Sequence, residues 1–489
     1  MEGSSSATSV MSTPPASADI PDPGRWASLA VVLTGAFLAA LDFFIVNVSI
    51  PAIRTSLRAT FAEVQLIIAS YGLTYAVLLI SGGRLGDIYG RRKMFVWGVT
   101  SFTAASLLCG IAPTPVLLIA ARALQGVSGA LLFPQVLSII QVTFPQRERA
   151  TAFGFFGTVI GLSSFAGNAL GGVLVSADLF HLGWRPIFLI NLPIGLLIVV
   201  FAEKFVKESS SPKARRLDLG GVAILTVALT LLLYPLIQGR EAGWPAWAFL
   251  CLIAFFPALI IFLRFEKRVT ARGGSPLVEL SLFHNRVFVT GLCSGVCFFS
   301  GAAAFFLIST IFLQNGLGYT PRRAGLTFLW FAIAFLGSSL ASVRVQPRLG
   351  SRIINLGVAF MISGLAGLLW ISASRGAALT SLNLAPVLLI YGTGQGFVMP
   401  TLINTILINI KGHDAGSASG VLTTVQQASF ATGVAVIGTV FFSALGRLDT
   451  VEAFIRALRT AFSVNIGLLC IVFILILQVP RFPAREQNP

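Results

Sequence analysis

The chain has 489 residues, of which 55% are hydrophobic and only 11% charged, with a mean hydropathy of +0.87. Soluble globular proteins carry about 25% charged residues, so a water-soluble enzyme or binding module is excluded and a polytopic, all-α membrane protein is implied. The net charge of +16 punctuates the apolar runs instead of forming an aromatic-basic surface segment, which excludes nucleic acid as a partner.

Residues 1–25 are rich in Ser, Thr, Ala and Pro and include Glu2, Asp19 and Asp22. They read as a disordered tail, and no basic stretch leads into a short apolar core as in a signal peptide. Apolar runs of about 20 residues cross a bilayer as helices. Fourteen are expected, over 26–48, 64–83, 94–111, 116–139, 151–175, 186–202, 219–236, 247–263, 287–313, 324–342, 353–371, 384–408, 416–442 and 461–479. An even count puts both termini on one side. Lys and Arg crowd the segments that lie inside when the N-terminus is cytoplasmic, which places both termini there. The longest inside connections, 203–218 and 264–286, flank the seventh and eighth spans. The expected plan is a six-helix bundle over 26–202, a linker with two additional transmembrane helices over 203–286, a second six-helix bundle over 287–480, and a cytoplasmic tail over 481–489.

In the first span, Asp42 lies within Leu41-Asp42-Phe43-Phe44-Ile45-Val46-Asn47-Val48. Of the eighteen acids it is the one expected well inside a membrane span, at a cost of about 2.5–3.5 kcal/mol or more unless paired or hydrated. Such a carboxyl is by default a proton or cation site; the plainer reading is a passive hydrogen-bonded acid between helices. After the second span comes Gly82-Gly83-Arg84-Leu85-Gly86-Asp87-Ile88-Tyr89-Gly90-Arg91-Arg92. Its glycines permit a tight turn and close helix approach. Asp87 is suited to basic partners or a helix N-terminus, and Arg91, Arg92 and Lys93 anchor the cytoplasmic face. The connection after the tenth span, Arg344-Val345-Gln346-Pro347-Arg348-Leu349-Gly350-Ser351-Arg352, echoes it, with Gly350 at the place of Gly90 and Arg352 at that of Arg92, as internal repetition of two halves would give.

Arg122 falls inside the fourth span, about 10 Å from its outer end at 1.5 Å per residue, and Asp42 about 9 Å from the outer end of the first. The two charges share a depth and are expected to face each other. Burial raises a carboxyl's pKa and an adjacent Arg lowers it, a competition that suits a group taking up and releasing a proton. The fifth span carries a row, Gly154, Gly157, Gly161, Gly167, Asn168, Gly171 and Gly172, at spacings that allow close helix packing. Asn47, Gln125, Asn168, Asn404 and Gln426 are polar groups expected to turn inward toward a cavity, against the plainer reading of helix–helix hydrogen bonds.

Several motifs point away from catalysis. The five cysteines all lie in apolar segments, and no His or acid completes a metal set with Cys293 and Cys297. His181, His284 and His413 fall on different connections. No phosphate-binding glycine loop occurs, and Gly392-Thr393-Gly394-Gln395-Gly396 lacks dinucleotide spacing. No cofactor or metal is expected, and a membrane-embedded enzyme or sensor is disfavoured because no nucleophile–base pair or soluble domain is present.

These residues resemble the major facilitator superfamily, in particular its fourteen-helix drug:proton antiporter branch, from about Trp26 to Gln478. The run 83–92 is similar to the superfamily's glycine–aspartate–arginine loop, which latches one access state. The run Leu41–Pro51 is similar to the branch's first-helix motif, and Arg122-Ala123-Leu124-Gln125-Gly126 to its Arg-x-x-Gln-Gly motif. Gly167-Asn168-Ala169-Leu170-Gly171-Gly172 resembles the antiporter motif, but Asn168 stands where the family has proline and removes the kink that a missing N–H would make. Trp184–Gly195, the 392–396 run and Ala415–Gln427 resemble the sixth, twelfth and thirteenth helices of the branch. The resemblance implies a major facilitator fold of two six-helix bundles plus two extra helices in the bacterial cytoplasmic membrane, acting as a monomer. It implies export of small amphiphilic compounds, drugs or antibiotics, in exchange for protons carried by Asp42. A periplasmic adaptor stays an open partner, and import of a small organic solute on the same fold is the alternative.

Overall fold

The computed structural model describes residues 23–211, 218–239, 242–274, 276–408, 410, 414–446 and 450–478, except for some side chains, among them those of Asn47 and Asn168. The expected tails and His413 lie wholly or largely outside these residues. The helices are α1 (Arg25–Leu57), α2 (Phe61–Tyr89), α3 (Arg91–Gly110), α4 (Pro115–Thr143), α5 (Gln146–Ala177), α6 (Pro186–Leu189), α7 (Asn191–Phe205), α8 (Leu219–Gln238), α9 (Ala246–Ala271), α10 (Arg286–Ile311), α11 (Pro321–Thr327), α12 (Leu329–Leu349), α13 (Arg352–Arg375), α14 (Ser381–Leu407), α15 (Ala415–Leu445) and α16 (Val451–Leu477).

Twelve spans among the described residues are long and apolar enough to cross a membrane. Helices α3 and α5 are not among these twelve, diluted by basic first turns and by Gly, Ser and Thr, yet they are 20 and 32 residues long and pack in the same bundle. With α6 joined to α7 and α11 to α12, the arrangement fits fourteen spans. The sixth expected span is broken at Ile190, three residues before Pro193, whose missing N–H cannot bond to the preceding turn. The last span begins at Val451, ten residues earlier than hydropathy suggests. Arg456 and Arg459 mask an amphipathic start that Thr450 caps through Ala453 N–H, and those arginines are exposed while Phe454, Ala457 and Leu458 are buried.

Packing sorts the helices into two sets. In the first, α2 and α3 pack on α4, α1 on α5, and α7 on α1 and α3. In the second, α12 and α13 pack on α14, and α10 on α15 and α16. The sets meet through α2 and α4 on α15 and through α5 on α12 and α14. The hairpin of α8 and α9 leans on α2 and α15 through α8. The echo between the two connections extends to the backbone. Gly90 after α2 and Gly350 after α12 both take positive φ, +105° and +58°, where a side chain would be strained.

Candidate functional site: a buried ionic network and a gating loop

Asp42 and Arg122 meet. The Arg122 Nη1 donates to Asp42 Oδ2 at 2.5 Å, and the two side chains are 0% and 1% exposed. The other carboxylate oxygen accepts from Asn191 Nδ2 at 2.8 Å and Gln125 Nε2 at 3.2 Å. Gln125 Oε1 takes a second bond from Arg122 Nη1 at 2.9 Å and faces Cys109 Sγ at 3.2 Å. Ser106 Oγ accepts from both Gln125 and Asn191. Arg122 Nε donates to the Ile67 carbonyl at 3.3 Å, and its guanidinium lies 4.3 Å from the centre of the Tyr71 ring. The network draws on α1, α2, α3, α4 and α7, and every member belongs to the first set of helices. A buried pair survives in low dielectric only when its remaining lone pairs and protons find partners; Gln125 and Asn191 donate to Asp42, and Gln125 and the Ile67 carbonyl accept from Arg122.

The glycine row of α5 serves two neighbours. Gly167 and Gly171 lie against Leu41, Phe44 and Ile45 of α1, so their lack of side chains lets α5 press on the turns that flank Asp42. Gly154, Gly157 and Gly161 instead face the second set, against Val343, Pro400 with Ser339, and Phe335 respectively. Gly172 is half-buried on the same helix.

At the other end of α2, Asp87 is fully buried and accepts from Arg91 Nη2 at 2.7 Å. It also accepts from the Gly416 and Ser417 backbone N–H groups, both at 3.1 Å, at the start of α15. Orphan N–H groups at a helix start suit an anion, so the carboxylate bridges the two sets. The approach depends on Gly83 and Gly416, where any added methyl would overlap the other's carbonyl.

A strap across this loop has no warning in the sequence. The segment after α7 runs past it, with Arg91 N–H donating to the Ser209 carbonyl at 2.9 Å and Ser211 N–H to the Asp87 carbonyl at 2.8 Å. Glu208 accepts from Arg92 N–H at 3.1 Å and Lys93 N–H at 3.0 Å, capping α3 from another segment, and lies 3.9 Å from the Arg92 side chain. Gly90 is needed here as well, since a methyl would meet the Glu208 carboxyl at 2.6 Å.

The structure therefore gathers Asp42, Arg122 and Gln125 in one cluster, and Gly83, Asp87, Gly90, Arg91 and Arg92 in another. Gln125, expected among cavity groups, is engaged entirely within the Asp42 network. Asn404 and Gln426 lie in the second set on α14 and α15, 4% and 8% exposed, and neither bonds to that network. The side chains of Asn47 and Asn168 lie outside the described residues. Asn191 and Ser106 were not singled out by sequence reasoning; a polar residue in the apolar run Phe188-Leu189-Ile190-Asn191-Leu192 was the available signal for the first.

Two packed sets of membrane-length helices, an ion pair deep in one and a carboxylate clasp between them, define a carrier that moves small molecules across a bilayer. The chain belongs to the Major Facilitator Superfamily, whose profile matches residues 32–434. It is 43% identical over 427 residues to a probable actinorhodin transporter of Streptomyces coelicolor, covering 87% of this chain and 74% of that one. It is 31% identical over 473 residues to the puromycin resistance protein of Streptomyces alboniger, covering 93% and 91%. In fold it is similar to the human organic anion transporter MFSD10, with a TM-score of 0.66, 16% identity, and coverage of 93% of this chain and 100% of that one.

Proposed function

We propose that the chain is a proton-coupled exporter of amphiphilic organic compounds of antibiotic type, seated in the cell membrane with both termini cytoplasmic. The observation that carries this reading is the Asp42–Arg122 pair, buried in a chain whose relatives are named for antibiotic transport and resistance. Ionised Asp42 is held by Arg122. Protonation removes the carboxylate charge and frees an Arg122 N–H, so the local packing of α1 against α4 differs between the two states. The two sets act as the moving halves, with Asp87 clasping one end closed while the other opens.

The polar inventory restricts the cargo. Among the described residues, α10–α16 contain a single acid, Glu452 in the first turn of α16. Dications have no second carboxylate there, so neutral, zwitterionic, anionic or monocationic amphiphiles are favoured. The test uses everted vesicles acidified inside and a pH-sensitive dye. Proton release on adding such compounds, lost in Asp42→Asn, is expected. Release that survives Asp42→Asn removes Asp42 as the carrier, and no release with folded protein and any compound favours import.

A further inference from the structure

The hairpin of α8 and α9 carries buried charge at the end nearest Asp87. Glu266, in the last turns of α9, is fully buried. Its Oε2 accepts from Val278 N–H at 3.2 Å, where the chain after α9 folds back and buries Leu277, Val278 and Leu282. Its Oε1 has no protein partner. Asp218 caps α8, with Oδ1 accepting from Gly221 N–H at 2.9 Å, and its Oδ2 is likewise buried without a partner. The two unsatisfied oxygens converge on one point. A methyl built on Gly221 would lie 2.9 Å from Asp218 Oδ2 and nearer still to Glu266 Oε1, so both oxygens border the space that glycine at 221 leaves open.

Two ionised carboxylates in this position would present acceptor to acceptor, with repulsion and two desolvated lone-pair sets. A single proton turns one oxygen into a donor and satisfies both. A metal ion is not favoured by the donor set, because among the described residues no third His, Cys, Asp or Glu joins the pair. We propose that Glu266 and Asp218 share one proton, making the α8–α9 hairpin a second proton-binding site that is separate from Asp42 and does not rest on the export reading.

Among the described residues the surrounding charges are few. From α2 comes Arg84, 6% exposed with its Nε unpartnered, which acts electrostatically on both Glu266 and Asp87. Beyond it lies the Asp87–Arg91 pair. Helix α15, which also packs on α8, has no charged residue over Ala415–Leu445, and Arg264, Lys267 and Arg268 of α9 are exposed. Loss of the shared proton would add a negative charge on one side of Arg84 and draw it from Asp87. The hairpin's protonation thereby biases the clasp at Gly416 and Ser417.

The experiment is infrared spectroscopy of the full chain in lipid nanodiscs near neutral pH, on an Asp42→Asn background that removes the buried acid of α1; the remaining buried acid outside the pair, Asp87, is constant across the variants compared. A deuterium-sensitive protonated-carboxyl C=O band is expected there and is lost on adding Glu266→Gln. The Gln amide can donate to Asp218 in place of the proton, so this variant is expected to fold. Asp218→Asn reads the same point from the other side: its amide donates to an ionised Glu266, and most of the band disappears. A background with no such band, or a band unchanged by both substitutions, overturns the proposal. Proton release by Asp42 is read in a different assay, so the two readings fail separately.

Discussion

Asp87→Asn is the substitution with the most sharply defined consequence. Three bonds converge on this carboxylate, but only those from Gly416 and Ser417 N–H cross between the two sets of helices. The Arg91 contact lies within one set and moves with Asp87, so its loss weighs on both access states and cancels in their ratio. A hydrogen bond to a charged group contributes about 1.5–3 kcal/mol. The amide keeps one neutral acceptor, so the closed end loses about one charge-assisted bond. At 1.36 kcal/mol per tenfold change, the open population at this end rises about ten- to hundredfold. Ser419, fully buried in the second turn of α15, is the reporter position. With the five native cysteines replaced, the rate at which a Ser419→Cys reporter reacts with a maleimide measures that population. The reasoning is refuted if Asp87→Asn leaves the labelling rate unchanged or slows it.

Arg122→Met leaves the fully buried Asp42 carboxylate with only neutral donors, an expected loss of about 3–5 kcal/mol; thermal unfolding should show Asp42→Asn/Arg122→Met to be more stable than Arg122→Met alone, and the opposite order would contradict a charge-pair origin. Glu208→Ala removes the cap on α3, worth about 0.5–2 kcal/mol, and amide exchange at Arg92 and Lys93 should speed up while that of α13 stays unchanged. Gln141→Leu deletes the 2.6 Å bond to the Leu407 carbonyl between the sets, weakening closure by about 1 kcal/mol; the same cysteine reporter should label about fivefold faster, and an unaltered rate would show that this bond does not hold the sets together.

What could be read from the sequence is what depends on depth and order. A helix rises by a fixed step, so Asp42 and Arg122 can be counted to the same level without knowing their azimuth, and the structure places them in contact. The glycines around Asp87 foretell close approach, although not that Gly416 is the surface approached. Asn191 was hidden because its direction depends on the break at Ile190, which apolar periodicity does not register. Glu266 falls in the 264–286 connection expected from hydropathy; it is buried because residues 277–282 fold back over the end of α9, a tertiary event with no local signature. The Glu208 strap belongs to the same class, a contact between segments more than a hundred residues apart.

Asp42 is enclosed by one set of helices, whereas the clasp that the proposed mechanism couples to it lies at the junction of two. Helix α4 is the element that touches both. In its N-terminal half it contributes Arg122 and Gln125 to the Asp42 network. Further along, Gln135 Nε2 donates to the Gly82 carbonyl at 2.8 Å, beside the clasp on α2, and Gln141 reaches across to the Leu407 carbonyl. Gly82 has no room for a side chain because the Ala130 carbonyl of α4 fills it, so α2 and α4 cannot slide independently there. In the proposed mechanism, a displacement of Arg122 on protonation of Asp42 would pass along α4, a single helix with Pro134 inside it, to a far end bonded both beside the clasp and to the opposite set. The α5 glycines supply a second route of the same kind, since one helix presses Gly167 and Gly171 on the turns around Asp42 and Gly154 and Gly157 on α12 and α14. On the proposed mechanism, coupling needs no separate relay: α4 and α5 each contact the Asp42 network or its flanking turns at one end and the junction of the two sets at the other.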